Sequence, residues 1–180
     1  SYSPKELAEI IDDNAMQISV SSALESTSVN ISVLSDTFEP ALKLVAEILT
    51  EPRLDEAVFN ATVQQYMASL SMSQGDAQWL AFNAAPRLFF NNGPYGRDAL
   101  EMLKTLPGIT PDDVRNFLAA YFVPENITIA FAGNLDRAEV EEKLTQFTAK
   151  LFQGVAPVRD VAAPAMDKSG LYLIHKPGQV

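Results

Sequence analysis

The chain has 180 residues, 47% hydrophobic and 20% charged, a composition typical of a globular protein and not of a disordered one. Its formal net charge of −10 works against nucleic-acid binding, and the absence of cysteine excludes disulfides and thiolate metal ligands. Cysteine content does not fix the compartment; we expect a periplasmic or secreted location rather than a cytoplasmic one. Because Ser1 stands where an initiator methionine would, we also expect processing or excision from a longer chain.

The first segments predict a helix followed by a β-hairpin. Ser3-Pro4 is a helix start signal, and apolar residues at helical spacing continue the pattern to Asn14. Residues 17–21 and 28–33 then alternate between polar and apolar with period two, which predicts a hairpin with one buried face.

Several helices follow the hairpin. An apolar stripe from residue 36 ends at Pro52, a second helix is predicted over 54–72, and Asp76 caps a third that reaches Leu88. Residues 91–96 are rich in Asn, Gly and Pro and predict a loop, with a short helix over 98–106 after it.

The last third of the chain begins with the clearest start signal. Thr110-Pro111 opens a helix that Pro124 ends, residues 126–133 predict a strand, and Asp136 with Glu139 predicts a capping box for a final helix. Residues 154–169 contain proline and alanine without periodicity and predict a linker. Residues 170–175 again predict a strand, followed by a turn at 176–178.

Few residues have the spacing that catalysis requires. His175 is the one histidine. A metal site built on imidazole usually needs two or more histidines, and a Ser-His-Asp triad needs a serine and a carboxylate beside the ring. The adjacent carboxylates of each pair point about 100° apart on a helix, so capping or a solvated face explains them better than acid–base chemistry. These pairs are Asp12-Asp13, Asp112-Asp113 and Glu141-Glu142.

The loop at 91–96 offers one candidate for peptide contact. Tyr95 and Arg97 have side chains suited to such contact, but a tyrosine that packs on its own domain is the favoured interpretation. No catalytic or metal-binding residue is assigned, and the substrate-binding residues stay unknown.

Ordered segments of the chain resemble the insulinase/pitrilysin family of zinc metallopeptidases. A helix ending at Pro52 is similar to one of that family, and Leu88-Phe89 with residues 93–97 resembles its "LF…HPYGR" loop without the histidine. Residues 106–113, 121–126 and 129–136 match "l..iT..Dl", "Y.P.N" and "vvGd.d" in the same order, over roughly residues 4–153. The segment 172–179 resembles the "vdKPG..Q" strand that opens the following half of such proteins.

The resemblance implies an α+β fold, with an antiparallel sheet covered by helices, as one partial half of a two-half protein. Residues 1–153 are then a half lacking its opening strands, 154–169 an interdomain linker, and 170–180 the first strand of a following half. Active halves of the family carry H-x-x-E-H, and a third zinc ligand, a glutamate, comes from a later helix. The matching position here is Met67–Ser71, which has no carboxylate, so no zinc or other cofactor is expected in this chain.

Two functions are consistent with this resemblance, and a free-standing peptide-binding module is a third alternative. The first is a non-catalytic domain of a larger zinc metallopeptidase, which helps to enclose peptide for an active half elsewhere. The alternative is a structural subunit of a processing or membrane-associated complex without peptidase activity. The expected partners are the other half of the same protein and a peptide substrate, with no nucleic acid. A homodimer is a further alternative, formed when open sheet edges recruit residues 170–176 of another copy.

Overall fold

The computed structural model describes residues 2–90, 94–158 and 170–176, and in these residues seven α-helices and two β-strands form the regular structure. In chain order they are α1 (Pro4–Asp13), β1 (Gln17–Ser22), β2 (Thr27–Ser32), α2 (Phe38–Thr50), α3 (Glu56–Ser73), α4 (Ala77–Phe90), α5 (Met102–Thr105), α6 (Pro111–Tyr121) and α7 (Arg137–Lys150).

The chain divides into two compact units. The first comprises Ser1–Leu54 with Pro111–Val158 and contains the hairpin together with α1, α2, α6 and α7. The second comprises Asp55–Thr110 with Arg159–Val180 and contains α3, α4 and α5.

Helix α1 has well-defined caps at both ends. The Ser3 hydroxyl accepts from the Glu6 backbone N–H and the Glu6 carboxylate accepts from that of Ser3, forming a capping box. At the other end Met16 N donates to Ile11 O and Ala15 N donates to Asp12 O, which is the hydrogen-bond pattern of a Schellman motif. This motif turns the chain so that Met16 is buried at the start of the hairpin.

The hairpin packs one face onto α2. Strands β1 and β2 are antiparallel, with Ile18 opposite Ile31 and Val20 opposite Val29. Helix α2 supplies most of the core of this unit, because its apolar residues recur at helical spacing. Helices α6 and α7 also pack against α2, where they contribute Leu118, Val140 and Phe147 to the same core. The fold is therefore α+β, with an antiparallel sheet covered by helices, as predicted.

The second unit buries fewer side chains. In α3 the buried residue is Leu70, and no described side chain of α4 is fully buried. Pro86 lies inside α4, where it removes one backbone donor from the helical ladder. Among the described residues no helix combines the length and the apolar character needed to cross a membrane.

The prediction of a strand over residues 126–133 is wrong. Pro124–Asn126 form a 3-10 turn and residues 127–132 have no strand pairing, although Ile127 packs against the core and Phe131 lies 5.3 Å from Phe38 between ring centroids. The apolar alternation is present, but a strand also needs a neighbouring backbone at ladder distance. Within the described residues the sheet consists of β1 and β2.

The strand predicted over residues 170–175 is not paired either, since residues 170–176 lie outside any sheet of the described structure. Residues 151–158 have no regular structure, and residues 159–169 of the predicted linker lie outside the described residues. In the predicted loop Pro94–Gly96 form a 3-10 turn, and 91–93 are outside the described residues.

Candidate functional site

Helix α3 is the element on which the resemblance puts a zinc ligand. Its start is set by Asp55, whose Oδ1 accepts from the backbone N–H of Ala57 at 3.0 Å and of Val58 at 3.2 Å. Glu56 follows in the first turn, where its negative charge stabilises the positive end of the helix dipole. No carboxylate occurs in the rest of the helix, from 57 to 73.

The segment Met67–Ser71 turns one side chain inwards and leaves most of the others in solvent. Leu70 is buried and Met67 half-buried, while Ala68, Ser69 and Ser71 are exposed. Zinc in proteins is bound by imidazole, thiolate or carboxylate groups, and none of these five side chains supplies one. The described residues also contain no group of three His, Asp or Glu side chains placed to hold a metal ion. The lack of a catalytic or metal-binding residue stays a prediction.

The remaining sequence candidates form no metal-binding cluster among the described residues. His175 is exposed in the segment 170–176. The carboxylate of Asp112 binds Arg115 at 2.6 Å, three residues along α6. Glu141 accepts from Arg137 Nε at 2.7 Å, and Glu142 accepts from a glutamine one turn later, at 3.1 Å. Each of these carboxylates has a partner on its own helix, as expected for a solvated face.

Tyr95 packs on its own unit. Its ring lies 5.3 Å from that of Phe90 between centroids, with a tilt of 42°, and the side chain is half-buried. Arg97 is exposed. The packing interpretation of this tyrosine is therefore the one that the geometry supports.

A polar network around Asp98 was missed by the sequence analysis. Asp98 Oδ1 accepts from Asn83 Nδ2 at 2.6 Å and from the Leu100 N–H at 2.9 Å, while Oδ2 accepts from Arg87 Nη1 at 3.1 Å. Asn83 Oδ1 in turn accepts from the Ala99 N–H at 3.0 Å. The Asp98 side chain is 17% exposed, so this network fastens α4 to the turn that precedes α5. Asn83 and Arg87 stand one turn apart on α4, which was the signal available in the sequence.

A second charged group joins α2 to α7. The Glu39 carboxylate contacts Lys143 Nζ at 2.8 Å and Lys43 Nζ at 2.5 Å. Hydrogen bonds from Lys143 and then Lys43 lower the pKa of Glu39 to about 2, and the bond to Glu39 raises the pKa of Lys143. This group ties two core helices together on their solvent side.

Comparisons with known proteins agree on one family. The model for insulinase (peptidase family M16) matches residues 1–102, and the model for the peptidase M16 inactive domain matches residues 108–179. An uncharacterized zinc protease of Streptomyces coelicolor is 22% identical over 176 residues, covering 97% of this chain and 38% of that protein. A non-peptidase homologue of Helicobacter pylori is 22% identical over 149 residues, covering 83% of this chain and 34% of that protein.

Solved structures show the same fold. The crystal structure of a peptidase M16 inactive domain from Pseudomonas fluorescens superimposes with a TM-score of 0.82 at 23% identity, over 92% of this chain and 40% of that one. The chain thus spans 34% to 40% of the length of these three relatives. Since the insulinase model matches more than half of the chain and the inactive-domain model most of the remainder, the chain belongs to the insulinase family of peptidases, family M16.

Proposed function

We propose that this chain is the non-catalytic domain of a larger zinc metallopeptidase and helps to enclose peptide for an active half elsewhere in that protein. The observation that carries the proposal is α3, which has no carboxylate between 57 and 73, where the family's third zinc ligand is expected. A domain that keeps the family scaffold without this ligand is suited to contribute shape and surface rather than chemistry.

The exposed side of α3 supplies a surface for contact with peptide. Ala61, Gln65, Ala68 and Met72 follow one another at helical spacing along this side, and each is exposed. None carries a charge, so the surface offers apolar contacts and amide hydrogen bonds. The net charge of −10 on the whole chain adds an attraction for basic segments of a peptide.

A structural subunit without peptidase activity is the second candidate. The non-peptidase homologue of Helicobacter pylori favours it, since it aligns with 83% of this chain. The two candidates differ in whether the complete protein contains an H-x-x-E-H motif with a glutamate on a later helix. Both agree that this chain alone hydrolyses no peptide.

The test compares peptide hydrolysis by the zinc-bearing half of the parent protein with and without this chain. Addition of the chain is expected to raise kcat/KM, because enclosure holds the peptide near the metal. Ala68→Glu on α3 is expected to weaken that gain, whereas Ala149→Glu, at another exposed alanine on α7, leaves it intact. Equal kcat/KM with and without the chain would contradict enclosure. A parent protein without any zinc-bearing half would support the structural subunit.

A further inference from the structure

A cleft between α2 and α7 collects lysine side chains in a chain that is otherwise acidic. Both helices belong to the first unit, and the cleft is lined by Lys43, Lys143 and Lys150 and by one carboxylate, that of Glu39. The carboxylate of Glu139 reaches Lys143 Nζ at 3.4 Å, so three ammonium groups face two carboxylates here. We call this group of residues the lysine cleft. Its local charge is positive, whereas the net charge of the whole chain is −10.

Two of the ammonium groups are held in position by the protein itself. The Glu39 carboxylate contacts Lys143 Nζ at 2.8 Å and Lys43 Nζ at 2.5 Å, and the Lys143 side chain is 21% exposed. Lys43 stands one turn after Glu39 on α2, and Lys143 stands one turn after Glu139 on α7, so helical spacing supports these contacts. A ligand that binds side chains already ordered in this way avoids part of the entropic cost of binding.

Lys150 has no carboxylate partner among the described residues. It is exposed at the end of α7 and lines the same cleft as the two fixed lysines. An ammonium group has three N–H donors, and Lys143 contacts two carboxylates, so a donor of Lys143 and all donors of Lys150 are available to a further acceptor. The cleft therefore has the capacity to bind an anionic group from outside.

The floor of the cleft is apolar. Leu42 is 7% exposed and Phe147 is 8% exposed, and both line it. Its volume with the open mouth is about 250 Å³, below the roughly 300–1,000 Å³ of sites for drug-sized ligands. This volume suits a single side chain rather than a cofactor. An apolar floor beneath ammonium groups fits a carboxylate on an aliphatic stem, as in glutamate, better than a fully hydrated inorganic ion.

We propose that the lysine cleft binds a glutamate side chain of an acidic peptide segment. The carboxylate accepts hydrogen bonds from Lys150 and Lys143, and the methylene groups lie on Phe147 and Leu42. This site is formed by α2 and α7, whereas the peptide surface proposed above lies on α3, so the two proposals are independent. The charge preference of the cleft is opposite to that of the whole chain, because the net charge attracts basic segments and the cleft selects an acidic residue.

Fluorescence anisotropy with a labelled hexaglutamate peptide tests the binding. At about 0.15 M ionic strength, charges more than about 8 Å apart are largely screened, so the net charge of the chain repels the peptide only weakly. We expect saturable binding of hexaglutamate and none of hexaglutamine. Lys150→Gln is expected to weaken the binding about threefold or more, because it removes a charge-assisted hydrogen bond. Lys104→Gln is the matched control, since Lys104 is an exposed lysine on α5 and its loss changes the net charge equally.

Carbodiimide cross-linking locates the bound peptide. The reagent joins a glutamate carboxylate to a lysine Nζ in an amide bond, and mass spectrometry of the digested product identifies the lysine. We expect the peptide mainly on Lys150 and much less on Lys104. Equal cross-linking of these two lysines, absence of saturable binding, or an equal loss of affinity in the two variants would overturn the proposal. Displacement of the peptide by inorganic phosphate at an equal concentration would overturn it too, because the cleft would then bind any small anion.

Discussion

Ala15 has a backbone conformation that alanine adopts reluctantly. Its φ is 47°, and among the described residues it is the only non-glycine residue with a positive φ. The position is the residue after the α1 C-cap, where a Schellman motif requires the left-handed conformation and glycine usually occurs. The hydrogen bonds at the end of α1 and the burial of Met16 hold Ala15 there at a cost of about 1–2 kcal/mol.

Replacing this alanine is therefore expected to stabilise the protein. Ala15→Gly should raise the free energy of unfolding by about 0.5–1 kcal/mol, because glycine relieves the strain but loses more conformational entropy on folding. Urea titration measures the change. The control is Ala61→Gly in the exposed middle of α3, where the same substitution should cost about 1 kcal/mol. Destabilisation of similar size in both variants would show that Ala15 is not strained.

Glu39 should make stability depend on pH. Its pKa falls from 4.5 to about 2 on folding, so its contribution is present above pH 4.5 and is lost as the pH decreases towards about 2. Glu39→Gln removes this contribution. We expect the variant to have a lower urea midpoint than the wild type at neutral pH, and the difference to shrink between pH 4.5 and about 2.

The matched control for Glu39 is Glu25→Gln, because Glu25 is exposed in the hairpin turn and belongs to neither α2 nor α7. This variant removes the same charge from the chain, so it reports the effect of net charge alone. A Glu39→Gln difference that stays constant down to about pH 2 would show that the Lys43 and Lys143 contacts do not stabilise the ionised carboxylate.

At the scale of secondary-structure elements, Asp98 connects two neighbouring elements of the second unit. It joins α4 to the following turn through two side chains and one backbone N–H, in a unit with few buried apolar side chains. Asp98→Ala leaves Asn83 Nδ2 without its acceptor and should lower the free energy of unfolding by about 1–3 kcal/mol. Hydrogen exchange should show the loss of protection mainly in α4.

Asp112→Ala serves as the comparison for Asp98. Asp112 is 82% exposed and pairs with Arg115, three residues along its own helix, so removing it should cost at most about 1 kcal/mol. If the two substitutions cost the same, the Asp98 network is a surface feature without a structural role.

Helices were predictable here because their signals are local. Ser3, Asp55, Asp76 and Asp136 all cap the helices that follow them, and each stands next to the apolar pattern it starts. Glu139 does not complete the predicted capping box, and Asp136 accepts from the Ala138 N–H instead. The starts of these four helices therefore followed from neighbouring residues. The helix predicted over 98–106 is instead the four-residue α5, which lies between two 3-10 turns.

Strands and the polar network depend on residues far apart in the chain. Residues 127–132 have a strand-like pattern, but whether they pair is decided by which backbone comes beside them. The same holds for Asn83 and Asp98, which are 15 residues apart. Ala15 was missed for another reason, since a position that needs a positive φ is recognised in a sequence by glycine or asparagine.

At the scale of the whole molecule, the lack of a carboxylate at residues 57–73 of α3 predicts how the chain responds to zinc. His175 is exposed in the second unit, and the described residues hold no cluster that would complete a coordination shell around it. A metal that binds the native state raises the melting temperature as its concentration exceeds the dissociation constant. We therefore expect no stoichiometric zinc in the purified chain and no shift of the melting temperature when zinc is added.

The His175→Ala variant makes this last expectation specific. Because His175 is the one histidine and the chain has no cysteine, a zinc site of ordinary affinity would depend on that ring. Elemental analysis of the wild type and the variant should give the same background level. Stoichiometric zinc in the wild type that disappears in His175→Ala would instead mean that carboxylates gather around His175, and that this chain supplies a metal site of its own. In that case peptide hydrolysis by the isolated chain would have to be measured before it is assigned to a non-catalytic role.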